Sequence, residues 1–136
     1  MEDMFSNCIS LTNVNVSSFN TSNVTNMCGM FKNCKSLEVL NLRSFKASNA
    51  GLINMFRNCS SLRTIYASNW KKYNSDPPLE TMGTFERCYN LVGGKGSKLG
   101  TNYYVENGIQ YDYYVNADEN SAHIDGGPDK PGLFTE

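Results

Sequence analysis

Apolar positions recur along this chain in a fixed phrase. Met4-Phe5-x-x-Cys8-x-x-Leu11 returns as Met30-Phe31-x-x-Cys34-x-x-Leu37 and as Met55-Phe56-x-x-Cys59-x-x-Leu62. A fourth, altered copy reads Thr84-Phe85-x-x-Cys88-x-x-Leu91. The Phe residues lie 26, 25 and 29 positions apart. Self-similarity at a period of about 20 to 50 residues is the mark of stacked repeats, in which one unit cannot bury its own apolar face. A Cys that returns once per unit therefore reads first as a core position.

Each unit predicts a short strand. Leu37-Glu38-Val39-Leu40-Asn41-Leu42 fits L-x-x-L-x-L. Its equivalents are Leu11-x-x-Val14-x-Val16 and Leu62-x-x-Ile65-x-Ala67. Alternation sends Leu40 and Leu42 inward and Val39, Asn41 and Arg43 outward. An aromatic follows each time, Phe19, Phe45 and Trp70. A short helix is then expected, because Val24, Met27 and Phe31 share one face at i, i+3 and i+7. Ser22 and Ser48 stand at the N-cap positions. Asn7, Asn33 and Asn58 stand where a left-handed residue closes the helix, and Arg87 makes the fourth closure an expected exception.

The expected fold is thus α/β: a right-handed leucine-rich-repeat-type solenoid of short parallel strands and short helices over residues 1–91, N-terminally truncated. It holds about three and a half repeats, and residues 92–136 form a β-rich C-terminal cap. Met1 precedes Phe5 by four residues, as Met27 precedes Phe31 and Leu52 precedes Phe56. The chain is accordingly expected to begin inside a repeat and to be an excerpt of a longer protein. An insertion, Lys71-Lys72-Tyr73-Asn74-Ser75-Asp76-Pro77-Pro78, breaks the period of the third unit. Beyond Leu91, Asn107-Gly108 between Tyr103-Tyr104-Val105 and Ile109-Gln110-Tyr111 predicts a hairpin.

These phrases resemble the BspA-like family of leucine-rich-repeat surface proteins, common in bacteria of the mouth and gut. Phe19-Asn20-Thr21-Ser22-Asn23-Val24-Thr25-Asn26-Met27 matches that family's repeat nearly letter for letter. Gly93-Gly94-Lys95-Gly96, His123-Ile124-Asp125-Gly126 and Pro131-Gly132-Leu133-Phe134-Thr135 resemble its usual ending. The fourth copy departs from the pattern, and the third unit lacks the Asn-Thr-Ser-x-Val phrase after Trp70. The resemblance implies an extracellular protein attached to the bacterial cell surface, with adhesive roles toward host matrix proteins or other bacteria.

Composition narrows the function further. The chain has 136 residues, 40% of them hydrophobic and 18% charged, and a net charge of −1. No electrostatic case exists for nucleic acid, and no apolar run reaches the roughly 18 residues of a membrane span. No C-x-x-C pair occurs and the single His123 is remote from the cysteines, so no metal site or cofactor is expected. Cys8, Cys34, Cys59 and Cys88 are expected as buried free thiols, with Cys28 off phase on the helix. His123 lacks a readable nucleophile, and Asp118, Glu119 and Asp125 do not have EF-hand spacing. Gly93-Gly94-Lys95-Gly96 lacks the spacing of a phosphate-binding loop. No catalytic constellation is legible, and the chain is expected not to be an enzyme.

The strand face is then the candidate binding surface: Asn13, Asn15 and Ser17, then Val39, Asn41 and Arg43, then Thr64, Tyr66 and Ser68. The expected function is a cell-surface binding or adhesion module for a protein or glycan. The alternative is a structural spacer that presents another domain. The insertion at 71–78 and the Tyr-rich segment after residue 100 are secondary candidates.

Overall fold

The computed structural model describes residues 1–46, 50–68, 83–92, 101–106, 109–114 and 134–135. Val39–Asn41 forms strand β1 and Thr64–Tyr66 forms β2. They pair in parallel, Val39 with Thr64, Leu40 with Ile65 and Asn41 with Tyr66. Leu40 and Ile65 are fully buried while Val39 is 48% exposed, the alternation that a half-buried strand requires. Phe134–Thr135 (β5) adds in parallel to the other side of β2, pairing Ile65 with Phe134, so the sheet order is β1-β2-β5. Strands Thr101–Glu106 (β3) and Ile109–Tyr114 (β4) pair antiparallel, with Glu106 opposite Ile109. That register matches the hairpin read from the sequence, although its Asn107-Gly108 link lies outside the described residues. The first unit's expected strand, residues 11–16, is not assigned as one, though Val16 is buried at 1% exposure.

The expected helices are absent among the described residues. Residues 27–37 instead form successive turns, closed by Met30 N–H to Met27 O, Lys32 to Gly29, Cys34 to Phe31 and Leu37 to Cys34. The alternate amides point sideways. Met27, Gly29, Phe31 and Asn33 donate to the carbonyls of Gly51, Ile53, Met55 and Arg57 in the next unit, at 2.8–2.9 Å. Asp3, Phe5 and Asn7 donate to Cys28, Met30 and Lys32 in the same way, and Phe56 and Asn58 to Thr84 and Glu86. Every amide from 27 to 35 thus has a partner, Cys28 N–H through the Asn26 side chain. A helix would use those amides within one unit and leave the unit stacked by side chains alone. The turns supply both closure and lateral bonding. The spacing of four between Met27 and Phe31 suits either arrangement, which is why periodicity suggested a helix.

The turns demand left-handed residues at two positions per unit. Asn7, Asn33, Asn58 and Arg87 have φ of 64, 62, 62 and 60°, and Asp3, Gly29, Asn54 and Gly83 have φ of 52, 61, 57 and 67°. Asn and Gly tolerate this region best. Arg87 adopts the same conformation as the asparagines it replaces, against the expected exception.

Between the two ladders lies the core. Phe31, Phe56 and Phe85, Cys34, Cys59 and Cys88, and Leu37 and Leu62 are all 0% exposed. Phe5, Phe31, Phe56 and Phe85 stack with centroids 5.3, 6.0 and 5.6 Å apart and planes within 10°, inside the favourable range for offset rings. Phe19 and Phe45 begin a second column at 6.3 Å. Trp70, Ser48 and the insertion at 71–78 lie outside the described residues.

Candidate functional site

The parallel register brings the second and third trios of the strand face together. Val39 neighbours Thr64, and Asn41 neighbours Tyr66. Just beyond β1, the Arg43 guanidinium lies 4.4 Å over the Tyr66 ring, a cation–π contact that fixes a long cationic side chain on an aromatic platform. Asn41 Oδ1 accepts the Arg43 amide at 3.1 Å and so sets the turn from which Arg43 projects. Asn15 Oδ1 does the same for the Ser17 amide at 3.0 Å. Asn13, Asn15 and Ser17 are exposed, but no strand pairing joins them to β1 among the described residues. Ser68 and Thr64 are half-buried. The surface is therefore strongest around Val39, Asn41, Arg43 and Tyr66.

The cysteine column is packing of a specific kind. Cys34, Cys59 and Cys88 each donate Sγ–H to the carbonyl of the preceding unit's Phe: Phe5 at 3.2 Å, Phe31 at 3.0 Å and Phe56 at 2.9 Å. Burial, followed by the neighbouring Cys59 and Cys8, pushes the Cys34 thiol from 9.0 up to about 12. The hydrogen bond with Cys88, together with burial, drives Cys59 above the ordinary thiol range. None of the five cysteines is in a disulfide. Cys8, expected in the buried column, is exposed, because no described unit lies over it as the first lies over Cys34. Cys28 is half-buried at a turn and not on a helix.

A second surface escaped the sequence analysis. The residues on either side of each repeat Cys line a shallow groove of about 390 Å³. Asn7, Asn33, Asn58 and Arg87 form one side. Ile9, Lys35, Ser60 and Tyr89 form the other. The asparagines are linked as a ladder: Asn33 Nδ2 donates to Asn7 Oδ1 at 2.7 Å, and Asn58 Nδ2 to Asn33 Oδ1 at 2.6 Å. Asn58 Oδ1 is buried without a hydrogen-bond partner; the next position in the column is Arg87 and not a fourth amide. The signal was present in the sequence as the flanks of Cys8, Cys34, Cys59 and Cys88. It is masked there because left-handed backbone alone accounts for Asn at those positions.

Among the described residues no group of three or more His, Cys, Asp or Glu side chains is close enough to hold a metal ion. No helix among them is long and apolar enough to cross a membrane. His123, Asp118, Glu119, Asp125 and Gly93-Gly94-Lys95-Gly96 lie outside the described residues.

The family described as "Mycoplasma protein of unknown function, DUF285" matches residues 1–91. The chain belongs to that family. Its span covers all four Phe-x-x-Cys-x-x-Leu units and ends at Leu91, where the repeat pattern stops. No curated protein and no solved structure matches the chain.

Proposed function

We propose that residues 1–91 form a leucine-rich-repeat-type solenoid of the BspA-like kind, and that it is a non-enzymatic binding or adhesion module of an extracellular, surface-attached protein. The observation that carries this is the Arg43–Tyr66 pair, held by the β1–β2 register beside an Asn41 turn and an exposed Val39. An aromatic and an Arg fixed in advance lose little conformational freedom on binding, and such residues dominate recognition energetics. The lateral ladders add rigidity, which supports presentation of that surface. The partner class is a protein or glycan.

The test is adhesion of the full-length protein to immobilised matrix proteins and to a glycan array. Combined Asn41→Ala, Arg43→Ala and Tyr66→Ala substitution is expected to reduce adhesion at least tenfold with the thermal midpoint little changed. Unchanged adhesion would instead assign these repeats the part of a spacer that presents another domain.

A further inference from the structure

We infer that the groove flanking the cysteine column is a binding site for a linear acidic oligosaccharide, separate from the strand face and independent of its function. Three observations converge on it. The first is chemical: Asn58 Oδ1 is a buried acceptor with no partner, and such a group gains when a side chain over it shifts and a ligand hydroxyl or N–H takes its place. The second is charge. None of the eight lining residues is acidic, while Lys35 and Arg87 are cationic. Arg87 Nε stands 3.9 Å from Glu86, but Arg57 holds that carboxylate at 3.0 Å. Two cations thus share one carboxylate, and the end of the groove stays positive.

The third observation is spacing. Units bonded side by side through backbone ladders repeat at about 4.8 Å; their Phe ring centroids lie 5.3–6.0 Å apart because the rings are offset. Side chains on one face of an extended peptide recur at about 6.7 Å, so a peptide slips out of register over three units. A pyranose ring is about one unit long, and each ring offers hydroxyls that both donate and accept. Asn amides and a Ser hydroxyl match that pattern. Tyr89, 63% exposed at the far end, offers a ring on which a sugar face can stack. Lys35 and Arg87 would take the carboxylates or sulfates.

The probes are a polygalacturonate hexasaccharide, its methyl-esterified neutral counterpart, and a poly-glutamate peptide of similar charge, titrated against the intact chain by calorimetry. Saturable binding of the acidic sugar, at least tenfold tighter than either other probe, is expected. Lys35→Gln should weaken it several-fold. Arg87→Asn is the decisive variant. It removes a cation and supplies an amide to Asn58 Oδ1, so it should bind at least tenfold more weakly while unfolding at a higher temperature. Arg43→Ala should leave this binding unchanged. No saturable binding of the acidic sugar, equal binding of the neutral sugar or peptide, or full binding by Arg87→Asn would each overturn the assignment.

Discussion

The Asn58 side chain donates to Asn33 Oδ1 at 2.6 Å, and Asn33 passes the bond on to Asn7. Both residues also hold left-handed backbone, with φ of 62°. The same residue type thus meets two demands of the stack: a conformation that closes a turn, and a lateral hydrogen bond that aligns one unit with the next. Asn33→Ala removes both links and puts a β-carbon in an unfavourable region. Its expected cost is about 3–4 kcal/mol, from about 1 kcal/mol for each of the two hydrogen bonds and about 1–2 kcal/mol of backbone strain. Asn33→Gly keeps the conformation and should lose less. Urea midpoints of the three proteins test this, and equal midpoints would remove the ladder from the account of stability.

The thiols should separate by exposure. Cys8 is exposed, Cys28 half-buried, and Cys34, Cys59 and Cys88 buried. A water-soluble disulfide reagent is expected to modify Cys8 rapidly in native protein and the three column thiols only on unfolding. Denatured, unreduced protein should show all five thiols. A lower count would mean that a pair had oxidised.

Alkali should destabilise the stack through the same column. Cys34 is raised from 9.0 to about 12 in the fold, so the unfolded chain releases this proton first as pH rises. The stabilisation is fully present below pH 9.0 and is lost between there and about 12. Cys59 is raised too and acts in the same direction. The unfolding midpoint should fall across that interval, and fall less steeply in Cys34→Ala. An identical slope in that variant would show that other groups govern the alkaline limb.

Neighbouring residues of β1 should differ sharply. Leu40 is fully buried between the ladders, and Leu40→Ala should cost about 2–5 kcal/mol. Asn41 is exposed and its bond to the Arg43 amide is local, so Asn41→Ala should cost under about 1 kcal/mol. Denaturant titration at equal protein concentration resolves the two. Comparable losses would mean that the alternation at β1 is misassigned.

The candidate sites were legible to different degrees. Outward positions Val39, Asn41 and Arg43 could be named from alternation, since a strand has only two faces. The contact between Arg43 and Tyr66 could not, because it depends on the register between residues 23 positions apart. The groove was illegible for a related reason. Asn7, Asn33 and Asn58 reveal their φ through residue type, but their hydrogen-bonded ladder and the unpartnered Asn58 oxygen exist only once the units stand side by side.

By itself the sequence determined the repeat unit, its inward Phe, Cys and Leu columns, the outward face of β1 and β2, and the left-handed asparagines. These follow from local periodicity and from what each side chain tolerates. Tertiary structure alone decided that residues 27–34 are turns and not helix. A spacing of four residues fits both, and the choice falls to the arrangement whose amides also bond the neighbouring unit. It likewise decided that β5, far along the chain, extends the sheet beside β2, a pairing that no local pattern encodes.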